Sequence, residues 1–215
     1  MIIVSNALGH QVPVDFWKFP AGEVGVRVIP KNLPDQLTVS VTEDYSSETI
    51  MQLLMLSDAL RRANHNVTLV LSIPYLPYSR QDRLCSEGES GGKALIIKLL
   101  KNSYNKIVTF DVHSDTHSGY YDNVHQDVEE LVSHHKATAL VFPDKGAKEK
   151  YYKLLPNKLK CELKILYGTK VRNELGEITD YKVSDVDKLS KDDVVLVVDD
   201  ICDGGRTFIE LAKVL

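Results

Sequence analysis

The segment Val194-Val-Leu-Val-Val-Asp-Asp-Ile-Cys-Asp-Gly-Gly-Arg-Thr207 decides the fold class. An apolar strand runs directly into Asp199 and Asp200, and the glycine pair Gly204 and Gly205 then opens a helix. A glycine-rich turn at a helix N-terminus presents backbone N–H groups and the positive end of the helix dipole to a phosphate. Two carboxylates beside it suit sugar hydroxyls or a magnesium ion, whereas a helix cap needs only one. The segment therefore indicates a phosphate-binding strand–turn–helix unit.

The rest of the chain repeats this alternation of strand and helix. Apolar, β-branched runs such as Val67–Ile73 are typical of strands covered on both faces, and Glu48–Ala63 has the apolar spacing of an amphipathic helix. Ser46 or Ser47 is the predicted cap of that helix. The pattern predicts an α/β fold with parallel sheets and crossover helices. The other predicted strands are Lys106–Val112, Ala139–Phe142, Leu163–Tyr167 and Val194–Val198. The other predicted helices are Gly92–Asn102, Lys145–Leu155 and Gly205–Leu215.

A domain boundary is predicted near residues 133–138, where polar residues precede a new apolar strand. Two small α/β domains are therefore expected, covering residues 1–137 and 138–215. The second is expected to be short at its C-terminus, because the chain ends at Leu215 with no strand after the last helix.

Composition excludes several classes of protein. The 215 residues contain no run of about 18 apolar residues, so no membrane span is expected. The three cysteines are far apart and form no CxxC pair, which favours a reducing cytoplasm over a disulfide framework or zinc cluster. The net charge is −4 with no basic block, so a nucleic-acid partner is not expected.

Other predicted strand ends also carry polar residues. Arg80, in Pro77–Arg83, could hold phosphate with its planar guanidinium, although the stretch could also be a solvated surface turn. His113, close to carboxylates, could bind a divalent metal or hydrogen-bond within the fold. Lys170 and Arg172 occupy alternating positions of an extended loop that follows the predicted strand, and could face an anion or solvent. Ser90-Gly-Gly-Lys93 lacks a preceding strand, so we interpret it as an ordinary helix start.

These stretches resemble the ribose-phosphate diphosphokinase family, which has type I phosphoribosyltransferase-like domains. The resemblance runs nearly the whole length of the chain, in the family's order. Besides the segment that ends at Thr207, the matching stretches are Phe19-Pro-Ala-Gly-Glu23, Asp58-Ala-Leu-Arg-Arg-Ala63, Ile73–Arg83, Thr109-Phe-Asp-Val-His113 and Phe142-Pro-Asp-Lys-Gly146. It implies two phosphoribosyltransferase-like domains, an N-terminal one for ATP and a C-terminal one for ribose phosphate. It also implies diphosphoryl transfer from ATP to the 1-hydroxyl of ribose 5-phosphate, a Mg²⁺ cofactor and a homo-oligomer.

The resemblance also implies site residues. Those for ATP are Phe19, Gly22, Glu23, Arg80 and Gln81. Those for ribose 5-phosphate are Asp199, Asp200, Asp203, Gly204, Gly205, Arg206 and Thr207. Those for metal are His113 and Asp144, with Asp111 and Asp122 as further candidates. Those for catalysis, through stabilisation of the transferring diphosphoryl group, are Lys170 and Arg172.

Two departures from the family pattern leave alternatives open. Ala21 stands where the family has aspartate, and Arg206 stands where a small residue is expected. Both favour a non-catalytic partner subunit derived from the family, while Lys170, His113 and Asp144 favour an enzyme. A phosphoribosyltransferase that uses the diphosphate with a base is a further alternative.

Overall fold

The computed structural model describes residues 1–30, 32–172 and 178–215, without the side chains of residues 170–172 and 178–180. The described residues form two compact units, Met1–His125 and Gln126–Leu215. The division falls earlier in the chain than the sequence indicated. The reason is a helix over residues 128–135 that was not predicted, since its Val128 and Val132 belong to a core cluster of the second unit.

The first unit is built on a mixed sheet. Its elements, in chain order, are β1 (Ile2–Asn6), β2 (Val14–Lys18), β3 (Val24–Val28), β4 (Gln36–Val41), α1 (Ser47–Ala63), β5 (Thr68–Ser72), α2 (Gly92–Ser103), β6 (Lys106–Phe110) and β7 (Asp122–Val124). The sheet has the strand order β1-β4-β5-β6-β7. β4 to β7 run parallel and β1 lies antiparallel at the edge. β2 and β3 pair as a separate antiparallel hairpin.

Helix α1 shows how the sequence specifies this unit. The Ser46 side chain caps the helix by accepting a hydrogen bond from the Thr49 backbone N–H, at 3.3 Å. Buried Leu53, Leu56 and Leu60 recur at spacings of three and four residues, so they lie on one face of the helix. This face belongs to the same buried cluster as the apolar residues of β4 and β5.

The second unit is built on a smaller sheet. Its elements are α3 (Val128–His135), β8 (Ala139–Phe142), α4 (Lys145–Leu154), α5 (Asn157–Glu162), β9 (Lys164–Arg172), β10 (Ile178–Val183), β11 (Val195–Val197) and α6 (Arg206–Val214). The strand order is β10-β9-β8-β11. β9, β8 and β11 run parallel, and β10 returns antiparallel to β9.

Strand β8 is covered on both faces, which explains its unbroken apolar sequence. Leu140 and Phe142 belong to one buried cluster, and Ala139 and Val141 belong to another. Successive side chains of a strand point to opposite faces of the sheet. The predicted α/β class with parallel sheets is thus confirmed. Within the described parts of the chain, no helix combines the length and hydropathy needed to cross a bilayer.

Candidate functional site

Carboxylates gather at the carboxyl edge of the second unit's sheet. β8 and β11 are parallel neighbours with Val141 opposite Val197, so the two strands end at the same edge. Asp144 follows β8, and Asp199 and Asp200 follow β11. In open parallel sheets, ligands bind outside the carboxyl ends of the strands. The structure thus brings together residues that were predicted to bind metal and residues that were predicted to bind ribose.

Asp199 and Asp200 form a partly buried acidic pair. The Asp200 backbone N–H donates to Asp199 Oδ1 at 3.0 Å. Burial, reinforced by the adjacent Asp200 carboxyl and more weakly by the Asp144 charge, raises the pKa of Asp199 well above its ordinary value. Lys150 Nζ lies 3.9 Å from Asp200 Oδ2, and only 17% and 6% of these two side chains are exposed. The pair is therefore suited to a ligand that brings hydrogen-bond donors or positive charge.

Sequence reasoning missed Lys150, although the helix spacing carries a signal for it. Ala147 and Tyr151 are the buried residues of α4, and Lys150 follows Ala147 by three positions. Residues three and four apart share a face of a helix. The sequence therefore already indicates a lysine on the buried face, nearly two turns after a strand-end aspartate, as a partner for an acidic site.

A hydrogen-bonded contact holds the turn that carries Asp144. Asp144 Oδ1 caps α4 by accepting from the Ala147 N–H at 3.0 Å. The Tyr181 hydroxyl donates to the Pro143 carbonyl at 2.7 Å. Burial and the nearby carboxylates raise the pKa of Tyr181 to about 12, so its hydroxyl stays protonated. Gly168 leaves room for this contact, because a Cβ there would lie 2.0 Å from the Tyr181 hydroxyl oxygen. Sequence reasoning missed Tyr181.

The glycine turn after the acidic pair ends at the start of α6. Gly205 is the N-cap, with φ +69°, a left-handed conformation that glycine adopts without a steric penalty. A Cβ at Gly204 would meet no atom within 4 Å. Asp203 and Arg206 are exposed, and Thr207 is half-buried. The first N–H groups of a helix lack intrahelical acceptors, so this turn suits a phosphate group.

The acidic edge fits a magnesium ion that takes few ligands from the protein. Within the described residues, no three His, Cys, Asp or Glu side chains form a ready-made metal cluster. Mg²⁺ usually binds one or two carboxylates and completes its shell with water and substrate phosphates. Asp144 and Asp199 supply such carboxylates, and the mutual repulsion that contributes to the raised pKa of Asp199 is one that a cation would relieve.

Arg80 and Gln81 line a cleft in the first unit. The cleft has a volume of about 570 Å³, and Tyr45, Tyr75 and Tyr78 contribute to its walls. The rings of Tyr45 and Tyr75 meet edge-to-face, with centroids 5.3 Å apart. The Tyr78 carbonyl accepts from the Gln81 N–H at 2.9 Å, which fixes the turn that carries both predicted ATP residues. The volume lies within the range of small-molecule sites, about 300–1,000 Å³.

Phe19, Gly22 and Glu23 lie at the tip of the β2–β3 hairpin. The Phe19 N–H donates to the Glu23 carbonyl and the Gly22 N–H donates to the Phe19 carbonyl, each at 2.8 Å. The Phe19 ring is 47% exposed and meets Trp17 edge-on, with centroids 6.0 Å apart. None of the three tip residues lines the cleft of Arg80. Among the described residues, the structure therefore does not place the two predicted ATP-binding stretches in one pocket.

Asp111 and His113 follow β6, at the carboxyl edge of the first sheet. Asp111 is 5% exposed, and its N–H donates to the Val124 carbonyl at 2.8 Å. The next residue donates its N–H to Asn123 Oδ1 at 3.1 Å. His125 Nδ1 lies 3.9 Å from Asp111 Oδ1. Residues of β7 and just after it thus shape the predicted metal loop, and sequence reasoning missed both Asn123 and His125.

Asp122, the last metal candidate, is the first residue of β7. It is opposite Val108 in the parallel β6–β7 pair. Its carboxylate lies 2.7 Å from Nζ of Lys106, the first residue of β6, and 64% of the Asp122 side chain is exposed. The structure therefore separates Asp122 from His113 and gives it a surface ion pair.

Lys170 and Arg172 lie in strand β9 rather than in the extended loop that the sequence indicated. Lys170 is opposite Tyr181 and Arg172 is opposite Ile178 in the antiparallel β9–β10 pair. Their side chains lie outside the described part of the structure, so their predicted catalytic role stays a prediction.

Comparison with known proteins points to one family. Residues 3–103 match the sequence profile of the N-terminal domain of ribose phosphate pyrophosphokinase. The chain is 30% identical to a ribose-phosphate pyrophosphokinase of Pyrococcus abyssi, over 96% of this chain and 72% of that protein. It is 32% identical to a ribose-phosphate pyrophosphokinase of Thermococcus kodakarensis, over 98% and 75% of the two chains.

The fold also matches a solved structure. The crystal structure of phosphoribosylpyrophosphate synthetase from Mycobacterium smegmatis superposes with a TM-score of 0.71. The match covers 94% of this chain and 67% of that chain, at 21% sequence identity. At this identity the match shows that the two proteins share a fold.

Proposed function

Because the chain belongs to the ribose-phosphate pyrophosphokinase family, we propose that it is an enzyme that transfers the β,γ-diphosphoryl group of ATP to ribose 5-phosphate. The 1-hydroxyl oxygen attacks the β-phosphorus and loses its proton, the bond from that phosphorus to the α-phosphate oxygen breaks, and AMP leaves. The product is 5-phosphoribosyl 1-diphosphate. The observation that carries the proposal is the acidic edge of the second sheet beside the glycine turn.

In this proposal the second unit binds ribose 5-phosphate. Asp199 and Asp200 accept hydrogen bonds from the ribose hydroxyls. These donors stabilise the two adjacent carboxylates, which repel each other. The N–H groups at Gly205 and Thr207 bind the 5-phosphate at the start of α6. Arg206 adds a positive charge at the same turn, which favours a dianionic phosphate.

The first unit binds ATP. Arg80 uses its planar guanidinium on phosphate oxygens, and Gln81 recognises polar edges of the nucleoside. Their position in a cleft with tyrosine walls supports this role. Phe19 offers an exposed ring for stacking, and Gly22 and Glu23 shape the hairpin tip around it.

The protein contributes alignment and charge rather than covalent chemistry. Lys170 and Arg172 stabilise the charge that develops on the transferring diphosphoryl group. His113, with Asp111 as a further ligand, would hold one Mg²⁺ ion in the first unit, and Asp144 would contribute to a second metal site in the second unit. When bound, Mg²⁺ neutralises phosphate charge. Lys150, whose Nζ lies 3.9 Å from Asp200 Oδ2, offsets part of the negative charge of the acidic pair.

A non-catalytic partner subunit is the second candidate, favoured by the departures at Ala21 and Arg206. One assay separates the candidates. The purified protein is incubated with ATP, Mg²⁺ and ribose 5-phosphate, and AMP and the sugar diphosphate are followed by ³¹P NMR. We expect AMP only when ribose 5-phosphate is present. No AMP would favour the partner subunit, whereas consumption of the sugar diphosphate with an added base would indicate a phosphoribosyltransferase. A homo-oligomer and a cytoplasmic location stay predictions.

The acidic pair offers a sharper test of the ribose assignment. Asp200→Asn removes a charged acceptor, and hydrogen bonds to charged groups contribute about 1.5–3 kcal/mol. The KM for ribose 5-phosphate should therefore rise about 10- to 100-fold, while the KM for ATP changes little. Asp192→Asn is the matched control, because Asp192 is exposed and precedes β11. Equal KM values for ribose 5-phosphate in the two variants would remove Asp200 from the site.

A further inference from the structure

Lys93 is a buried cation that the proposed reaction has not used. It is the second residue of α2 and is 0% exposed. Removing an ammonium group from water is unfavourable unless acceptors surround it. The acceptors that surround the Lys93 ammonium group should therefore explain why this lysine is buried.

The Lys93 ammonium group holds the loop that follows His113. Nζ donates to the Ser114 carbonyl at 2.7 Å and to Ser114 Oγ at 3.1 Å, and it lies 3.4 Å from Thr116 Oγ1. Tyr121 supports the same loop, since its hydroxyl lies 3.3 Å from the carbonyl oxygens of Ser114 and Thr116. The Tyr121 ring centroid is 5.7 Å from Lys93 Nζ. The loop conformation and the burial of this charge are therefore linked.

The backbone of the same helix start holds the nucleotide stretch. The Lys93 N–H donates to the Gln81 carbonyl at 3.2 Å. At Gly92, a Cβ would lie 2.0 Å from Gln81 Oε1, so only glycine lets the Gln81 side chain lie against the helix start. Residues 92 and 93 thus contact both a predicted ATP-binding residue and the loop of a predicted metal ligand.

We propose that Lys93 is a positioning residue that fixes the loop after His113 relative to Gln81. This inference rests on the proposed function, in which Gln81 binds ATP and His113 binds the metal. Lys93 itself touches neither substrate. It replaces the interpretation of Ser90-Gly-Gly-Lys93 as an ordinary helix start.

The test compares Lys93→Met with Lys98→Met, the same substitution at an exposed position of the same helix. Loss of an outer partner of a metal ligand typically costs about 10- to 100-fold. We expect Lys93→Met to lower kcat/KM for ATP by that factor, with an unchanged KM for ribose 5-phosphate. Hydrogen exchange should accelerate in residues 113–117 and stay unchanged in α1. Lys98→Met should match the wild-type protein in every measurement.

Four other outcomes must be distinguished. Wild-type kinetics and protection in Lys93→Met would overturn the inference, as would exchange that accelerates equally throughout the first unit. If Lys93→Met does not fold, Ser114→Ala decides, because it removes the Oγ acceptor of the Lys93 ammonium group while the charge remains; unchanged exchange in residues 113–117 would refute the link. If the wild-type protein forms no AMP, the proposed function fails by itself, and localised exchange still decides whether Lys93 holds the loop.

Discussion

The contact between Tyr181 and Pro143 gives a prediction whose magnitude follows from the structure. In Gly168→Ala the new methyl carbon would lie 2.0 Å from the Tyr181 hydroxyl oxygen and 2.6 Å from the Pro143 carbonyl oxygen. Both distances are too short, so Tyr181 must move and its hydrogen bond to Pro143 is lost. Overpacking costs about 1–3 kcal/mol and a neutral hydrogen bond contributes about 0.5–1.5 kcal/mol. We expect a loss of about 2–4 kcal/mol in the free energy of unfolding.

The assay is urea denaturation followed by circular dichroism, with thermal melting as a second measure. For a unit of this size, the expected loss lowers the melting temperature by at least about 8 °C. Gly119→Ala is the matched control, because a Cβ at Gly119 meets no atom within 4 Å. Tyr181→Phe alone should cost about 0.5–1.5 kcal/mol.

The double variant completes the cycle. In Gly168→Ala/Tyr181→Phe the closest clashing atom is gone and the same hydrogen bond cannot be lost twice. The two costs should therefore sum to more than the cost of the double variant. Strict additivity, or a Gly168→Ala protein as stable as Gly119→Ala, would refute the packing argument. Pro143 directly precedes Asp144 in the chain. Gly168→Ala should therefore also lower the affinity of the acidic edge for Mg²⁺.

Two further predictions concern stability alone. Lys164 Nζ donates to Asp193 at 2.6 Å and, with other donors, holds the pKa of this carboxyl far below its usual range. Its stabilisation of the second unit is therefore complete above the unfolded pKa of about 4 and is lost as the pH falls towards the lower folded value. Urea denaturation from about pH 7 to about pH 3 should show a smaller acid loss in Asp193→Asn than in the wild-type protein. Separately, the buried Tyr104 hydroxyl donates to the Leu53 carbonyl at 2.8 Å, so Tyr104→Phe should cost about 0.5–1.5 kcal/mol in the same assay; an unchanged midpoint would contradict this.

The elements that the sequence predicts well are those whose pattern is set locally. The helix over residues 48–63 has a capping serine, and its apolar stripe faces the core, so burial and propensity agree. Strand Ala139–Phe142 was predicted to the residue, because both its faces are covered and every position must be apolar. Asp144 and Asp199 each follow a predicted strand, and the parallel pairing of β8 and β11 in the structure places both residues at one edge of the sheet.

The elements that the sequence missed depend on pairing between distant segments. β1 gains its partner from β4, more than thirty residues later, and its half-exposed edge position allows a less regular pattern. β9 continues through Lys170 because β10 returns beside it. Two alternating cations looked like part of a loop, since strand pairing beyond the apolar run leaves no mark in the local sequence.

Residues that hold a predicted binding loop in place were harder to predict than the binding residues themselves. Helix spacing places Lys93, and not Lys98, on the face of α2 that carries Ile96, Ile97 and Leu100. The acceptors that make burial of the Lys93 charge favourable, however, lie more than twenty residues away and leave no mark in the local sequence. The two departures from the family pattern differ from such buried residues, because both lie at the surface. Ala21 and Arg206 are both exposed, so neither change disturbs a core, and neither should alter stability by much. Because both residues lie in stretches predicted to bind a substrate, we expect the two departures to change substrate binding instead. Activity measurements, and not unfolding, will therefore decide between the enzyme and the partner subunit.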